Sequence, residues 1–285
     1  MTTRVAADLH LHTTASDGTC SIPDRVEQAV ERDLDSIAIT DHDRIDDVLT
    51  ERVELRNGIS IVTGVEIRAD LFDTKIEILG HFVDPDNEEL LDALDQTREF
   101  RRERNRQLVS NLTNATELDL SYEALQEEAD GTLGRPHLAE RLVDGGVVDS
   151  IGEAFDAYLG TGAEAYVPMK RLPHGTVLNA IHAAGGVASL AHPGRIRSER
   201  VPEMVDTLAD SGLDGIEVWY PYDSAGPDAY ADIDVAEADE LAAEYDLLRV
   251  GGSDCHGPGS GKFRIGGTGI SREQFELLRE TAGLS

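Results

Sequence analysis

The stretch Val5-Ala6-Ala7-Asp8-Leu9-His10-Leu11-His12 decides how this chain is read. Its period of two predicts a strand, with Asp8, His10 and His12 on one face and Leu9 and Leu11 in the core. The strand ends in two imidazoles, a pair suited to chelating one cation. The same pattern recurs along the chain. Short apolar runs stand at residues 5–12, 36–40, 60–66, 77–83, 186–191, 215–219 and 247–251, several of them ending at Gly, Asp or His as buried parallel strands do. Residues 23–32, 199–209 and 235–245 read as amphipathic helices, with Ser21 or Asp24 able to open the first and Gly212 to close the second. Strand–helix alternation of this kind predicts an α/β fold built on a parallel sheet or barrel.

Residues 87–172 break the rhythm. The segments EFRRERNRQLVSNL, YEALQEEA and PHLAERLV are helical in pattern, and no strand is evident among them. The expected organisation is therefore a barrel domain from residues 1–86 and 173–285, interrupted by a helical insertion domain at 87–172. Arg98, Arg101, Arg102, Arg104 and Arg106 form a basic cluster in that insertion. It is read as a solvated helix face paired with Glu99 and Glu103, with guidance of a nucleotide as the alternative.

Composition narrows the function classes. The 285 residues carry 56 Asp and Glu against 25 Lys and Arg, a formal net charge of -31, and only Lys75, Lys170 and Lys262 are lysines. Such a surface repels polyanions, which argues against a non-specific nucleic-acid binder. It becomes tolerable in molar salt, where the Debye length falls to about 3 Å, so a halophilic cytoplasm is expected. No run of about 18 apolar residues is present, and the opening MTTRVAADLHLH lacks a signal-peptide stretch; no membrane association and a cytoplasmic location are expected. The two cysteines, Cys20 and Cys255, read as free thiols, with Cys255 turned away from any metal.

The nine histidines are not spread evenly. His10, His12, His42, His81, His192 and His256 all stand at or just after a strand end, as do Asp41, Glu66 and Asp254. In a parallel α/β architecture those ends form one mouth, where residues remote in sequence converge. Asp17, in the turn Ser16-Asp17-Gly18-Thr19, can reach over the same mouth. A lone histidine is more often a satisfied structural residue, but so many at equivalent places point to a metal site. Nitrogen and oxygen donors without thiolate suit Mn²⁺, Zn²⁺ or Fe²⁺. His174 and His182 lack this placement and are left structural. Asp8 and Asp41 are expected to orient ligand imidazoles, while Glu217 suits either that role or core-edge packing.

The motifs HLHTTASDGT, TDHD, GVEI, LGHF, LAHPGR and GSDCHG, in this order, resemble those of the PHP (polymerase and histidinol phosphatase) family. The resemblance implies a distorted (β/α)₇ barrel with a helical insertion, and a trinuclear centre that hydrolyses phosphoesters by metal-activated hydroxide. It implies that His10, His12, Glu66 and Asp254 hold one ion. Glu66 would bridge to a second, completed by His81 and His192, and Asp17, His42 and His256 would hold a third. Every one of these positions carries a competent ligand, which favours an enzyme over a non-catalytic metal-binding PHP module. Three divalent ions are implied, Mn²⁺ ahead of Zn²⁺ or Fe²⁺.

Asp17 in its turn and the insertion's Arg135-Pro136-His137 are similar to the subgroup of 3',5'-nucleoside bisphosphate phosphatases and 5'-to-3' exonucleases of short RNA. Histidinol-phosphate phosphatase, or another PHP phosphatase or nuclease, is the alternative. The expected partner is a small phosphorylated substrate, a nucleotide or a short oligonucleotide. Arg135, His137 and Arg195 are the candidate substrate contacts, because a guanidinium fork matches phosphate and Arg195 follows His192 closely. The plainer reading of Arg135 and His137 is a helix N-terminus with proline at its start, a place that also favours anions.

Overall fold

The computed structural model describes residues 4–129, 133–222, 233–262 and 264–284. Among the described residues, nine strands form one sheet: β1 Ala7–Leu11, β2 Ser36–Ile39, β3 Val53–Arg56, β4 Ile59–Leu71, β5 Thr74–His81, β6 Leu172–Pro173, β7 Val187–Leu190, β8 Gly215–Trp219 and β9 Leu248–Gly251. The main path runs β1-β2-β4-β5-β7-β8-β9, with β3 and β6 both paired to β4. β1/β2, β2/β4, β7/β8 and β8/β9 are parallel. At the two ends of this path, Leu11 forms a parallel bridge with Cys255, and the His12 amide donates to the Cys255 carbonyl at 3.1 Å. The architecture is a distorted seven-stranded α/β barrel.

The distortion has a local cause. β5 runs antiparallel to both β4 and β7. β4 and β5 form a hairpin in which Leu71 faces Thr74, and the intervening Phe72 and Asp73 both adopt positive φ, at 53° and 58°. A two-residue turn with left-handed backbone at both positions matches the twist of the strands it joins. Asn-Gly or Asp-Gly normally announces such a turn; Phe-Asp does not, so the sequence suggests two separate parallel strands.

Helices α1 Ile22–Glu31, α6 His174–Ala183, α7 Val201–Asp210, α8 Val235–Glu244 and α9 Arg272–Thr281 accompany the sheet, and the remaining α-helices fall in the sequence between β5 and β6. α1 starts where Ser21 and Asp24 cap each other reciprocally, and Pro23 fits its first turn. The barrel core gathers Ala7, Leu9, Ala38, Val62, Phe82, Val187 and Val250 from the strands, with Phe275 and Leu278 from α9. Among the described residues, no helix is long and apolar enough to cross a membrane.

The chain divides into two compact units. One comprises the residues up to Asp95 and from Arg171 onward and holds the sheet. The other, Gln96–Lys170, is helical. It contains most of α2 Glu88–Ala115, then α3 Tyr122–Glu128, α4 Arg135–Asp144 and α5 Ile151–Ala154. Its core is formed by Leu108, Leu112, Leu138, Leu142 and Leu159. In its basic segment, Glu99 pairs with Arg102 at 3.1 Å and Arg106 at 3.4 Å, while Glu103 takes Lys170 at 3.0 Å. Intra-unit pairing of this kind is what a solvated face provides.

Candidate functional site

β1 does not alternate strictly. Asp8 faces Ile37 but Leu11 faces Ile39, so β1 carries an extra residue between them. Bulges of this type re-aim side chains next to active sites, and here both His10 and His12 reach Glu66 on β4. Gly252 makes room for them: a Cβ there would lie 2.3 Å from the His10 Cβ.

The cluster is built around Glu66 and Asp254. The Glu66 Oε2 lies 2.8 Å from His42 Nδ1, 3.5 Å from His12 Nε2 and 3.6 Å from His10 Nε2. Its Oε1 lies 3.0 Å from His192 Nε2. Asp254 Oδ1 approaches His256 Nδ1 at 3.3 Å, His12 Nε2 at 3.4 Å and His10 Nε2 at 3.8 Å. Asp17 stands over the open side, 3.3 Å from His256 Nε2, 3.6 Å from His42 Nε2 and 3.8 Å from His12 Nδ1, with its side chain 56% exposed. The buried residues below and the exposed Asp17 above mark the side of the cluster that is open to solvent. His192 and Asp254 both have positive φ, 25° and 50°, backbone strain of the kind held at functional sites.

Electrostatics show what the cluster lacks. Burial would raise the Glu66 carboxyl, yet the charges of His42 and His10 hold it well below the usual range. Burial likewise opposes ionisation of Asp254, and the approach of His12 together with the charges of His10 and Lys262 overcomes it. His12 is driven down to about 3 by burial and by the neighbouring His256 and His42, so it is a neutral imidazole with a lone pair to give. His10 Nε2, both nitrogens of His12, His42 Nδ1 and Glu66 Oε2 are buried, and although they face one another at 2.8 to 3.6 Å none of them makes a well-directed hydrogen bond. Buried polar atoms are rarely left so. Ligand atoms of His12, Asp17, His42 and His256, of His10, His12 and Glu66, and of His42, Glu66 and Glu77 lie within 4.8 Å of one another in each group. This donor set fits divalent cations.

The structure corrects one expected ligand. His81 is not in these groups: its Nε2 lies 2.9 Å from the Leu9 carbonyl, and its Nδ1 is buried without a partner. The reason is strand direction. Because β5 is antiparallel, its C-terminal residue His81 pairs with Gly64, two residues short of Glu66, whereas Glu77 pairs with Arg68, two residues beyond it. Glu77 takes the place expected of His81, with its Oε2 3.7 Å from His192 Nε2. Arg68 at 3.2 Å and Lys75 at 2.9 Å hold the Glu77 carboxylate. An antiparallel strand reverses the rule that ligands stand at C-terminal strand ends, and only the hairpin reveals it.

The supporting residues also differ from expectation. Asp8 and Asp41 do not contact the ligand imidazoles. Asp8 accepts from the amides of Ser253 at 2.9 Å and Gly266 at 2.8 Å, and Asp41 accepts from the amide and hydroxyl of Thr13 at 2.8 and 2.6 Å. Both pin loop backbone. Glu217 does the orienting, with Oε1 3.0 Å from His10 Nδ1 and Oε2 accepting from the His192 amide at 2.8 Å. Arg25 of α1, fully buried, donates to the carbonyls of His12 at 2.6 Å and Cys255 at 2.8 Å, tying two ligand loops together. Cys255 Sγ accepts from Arg25 Nη1 at 3.2 Å, and Cys20 and Cys255 are free, buried thiols. His182 pairs with Asp214 at 2.8 Å and His174 with Ser211 at 3.3 Å, both structural.

Of the candidate substrate contacts, Arg195 lies at the cluster, donating from Nη1 to the Tyr220 hydroxyl at 2.6 Å and standing 3.6 Å from Asp254. Arg135 and His137 belong to the helical unit. His137 Nδ1 accepts from the Gly134 amide at 2.9 Å, capping α4, and Arg135 Nη1 donates to the Leu159 carbonyl at 3.2 Å.

The PHP domain family matches residues 8–144. The chain is 33% identical over 261 residues to the 5'-3' exoribonuclease Rnm of Escherichia coli, covering 89% of this chain and 86% of that protein. It is 30% identical over 266 residues to the 3',5'-nucleoside bisphosphate phosphatase of Chromobacterium violaceum, covering 92% and 90%. A solved structure of an amidohydrolase from Chromobacterium violaceum, with bound sulfate and no metal, superposes with a TM-score of 0.76 at 27% identity, covering 97% of this chain and 96% of that one. The barrel, the cluster at its mouth and these matches define a PHP-type enzyme fold. This chain belongs to the PHP family.

Proposed function

We propose that this PHP-family hydrolase of phosphate esters is a metal-dependent phosphoesterase that acts on small nucleotides, as a 3',5'-nucleoside bisphosphate phosphatase or a 5'-to-3' exonuclease of short RNA. The observation that carries the reading is the convergence on one mouth of buried atoms of His10, His12, His42 and Glu66 that make no well-directed hydrogen bond. Names borne by relatives matching most of both chains support the substrate class.

In this reading His10, His12, Glu66 and Asp254 hold one ion, Glu66, Glu77 and His192 a second, and Asp17, His42, His256 a third. Mn²⁺ is the first candidate, with Zn²⁺ and Fe²⁺ the alternatives, since nitrogen and oxygen donors accept all three and the choice follows geometry and availability rather than intrinsic affinity. Bound divalent ions supply an acidified water and neutralise charge on the phosphoryl oxygens. The chain's own groups do the rest. Glu217 holds the His10 ring by Nδ1 so that Nε2 faces the centre. Arg195 offers a guanidinium at the mouth, and Arg135 and His137, at a helix N-terminus of the helical unit, are proposed as further anion-binding groups. Tyr220 is pushed above its ordinary value by burial and by Asp254, so its hydroxyl stays a neutral donor.

A substrate panel tests the reading. Phosphate release from p-nitrophenyl phosphate, 3',5'-bisphosphonucleosides and 5'-phosphorylated short RNA is measured with Mn²⁺ at low and molar salt. Selective turnover of the bisphosphonucleoside or the short RNA is expected. Turnover of histidinol phosphate in preference to every nucleotide would overturn the substrate assignment.

A further inference from the structure

The chain is poor in aromatic residues, with one Trp, seven Tyr and six Phe in 285 positions, yet three of these fall within Trp219-Tyr220-Pro221-Tyr222. They stand where β8 ends, the side of an α/β sheet on which ligands bind. Tyr220 reaches the centre: its hydroxyl donates to Asp254 Oδ2 at 2.8 Å, and its ring meets the His192 ring edge-on, 5.3 Å between centres. Tyr222 packs against Tyr220 with ring centres 5.0 Å apart. Gly194 permits this, since a Cβ there would lie 2.6 Å from the Tyr222 ring. Neither Trp219 nor Tyr222 belongs to the candidate metal-holding groups.

Trp219, Tyr220 and Tyr222 line a cavity of about 730 Å³, together with the start of α8 and the turn at Gly267-Thr268. That volume lies in the range of small-molecule pockets. The polar groups at its edge do not suit an anion. Asp234 caps α8, accepting at Oδ1 from the amides of Ala236 and Glu237 at 2.7 and 3.1 Å, so the helix N-terminus is already satisfied by a carboxylate. Asp239 is held in place by Arg249 Nε at Oδ1, and half of its side chain remains open to solvent. Carboxylates only accept hydrogen bonds. Flat ring faces with acceptors at the rim suit a planar heterocycle that carries N–H groups, and stacking on aromatic faces is how single bases are held.

We propose that this cavity is a base pocket, taking the heterocycle of an ester whose phosphate lies at the centre, and that it prefers a base with an exocyclic amine, adenine before hypoxanthine. The proposal rests on the phosphoesterase reading of the neighbouring centre. Tyr220 is the partition, with its hydroxyl at Asp254 and the residue itself in the pocket wall. The centre draws the phosphate and the acidic, aromatic pocket turns it away, so only one orientation of the ligand satisfies both. An amine donates to a rim carboxylate, whereas the ring oxygen of hypoxanthine at the same place would face it acceptor to acceptor. Loss of one hydrogen bond to a charged group weakens binding by about tenfold or more.

Trp219 is the chain's single tryptophan and lines the pocket, so its fluorescence reads occupancy without turnover. The full chain is titrated with adenosine, inosine and ribose 5-phosphate. Adenosine should quench the emission saturably, with an affinity about tenfold or more above that of inosine, and ribose 5-phosphate should leave the emission unchanged. Ala236→Phe places a ring in the cavity from an exposed position of α8, and should abolish quenching by adenosine while circular dichroism stays that of the wild type. In the Mn²⁺-loaded protein, KM for adenosine 3',5'-bisphosphate should be lower than KM for inosine 3',5'-bisphosphate by the same factor. No saturable quenching by adenosine, an equal response to ribose 5-phosphate, or quenching that persists in folded Ala236→Phe would overturn the pocket. Equal affinity for adenosine and inosine would overturn the amine preference. Quenching by adenosine as expected, with no turnover of any phosphate ester, would sustain the pocket and count against the phosphoesterase reading instead.

Discussion

Glu217 Oε1 lies 3.0 Å from His10 Nδ1, and both groups are fully buried. Its other oxygen accepts the His192 amide at 2.8 Å. One carboxylate on β8 thus holds two candidate ligand positions, one on β1 and one just past β7, without entering any of the candidate metal-holding groups.

Removal of this carboxylate should loosen the centre without emptying it. Glu217→Gln is predicted to weaken metal affinity by about 10- to 100-fold, the usual effect of losing an acceptor behind a ligating histidine. Calorimetric titration of the metal-free protein with Mn²⁺ measures it. An unchanged affinity would reduce Glu217 to a packing residue.

Glu77 and His81 offer a cleaner contrast, because only one of them reaches the mouth. Glu77→Gln should lower the metal content by about one ion per chain and cut turnover by about a hundredfold or more, as loss of a ligand does. His81→Gln should keep the full metal complement. Elemental analysis after dialysis decides, and the opposite pattern would restore His81 to the centre.

That contrast also shows what the sequence makes legible. Strand-end histidines and carboxylates are visible because the period-two pattern of 5–12 and the abrupt endings at His42, His192 and Asp254 carry the signal themselves. The direction of β5 is not visible, since it depends on a Phe72-Asp73 turn that lacks the usual glycine or asparagine. The cavity at Trp219 escapes notice for another reason. Its walls come from β8, the start of α8 and the turn at Gly267-Thr268, and a three-dimensional coincidence has no spacing to read. Arg25 is similar: a helix residue with the look of a surface position turns out to be buried against two ligand-loop carbonyls.

Acid should destabilise the metal-free protein partly through His81. Burial holds this imidazole down to about 4, against an ordinary value of 6.5. The group is neutral in the fold, so its contribution is complete above about pH 6.5 and is lost as the pH falls toward 4. His10 and His42 are shifted upward and act in the opposite sense, so the informative quantity is a difference. The thermal midpoint of the wild type should fall more steeply than that of His81→Gln across this window. Parallel curves would contradict the assignment.

Salt should strengthen the fold. With a net charge of -31, the surface repels itself in dilute buffer, and molar KCl shortens the Debye length to about 3 Å. A thermal midpoint that rises by several degrees between dilute and molar KCl, with turnover retained, is expected. A falling midpoint would show that the acidic excess is tuned to something other than high salt.

The central claim is that the buried imidazoles and carboxylates at the barrel mouth work as a metal centre for phosphate-ester hydrolysis. The most direct measurement is phosphate release from adenosine 3',5'-bisphosphate after exhaustive chelation, followed by stepwise return of Mn²⁺. The predicted result is loss of turnover on chelation and recovery as the ions are restored. Turnover that survives verified removal of all metal would contradict the account.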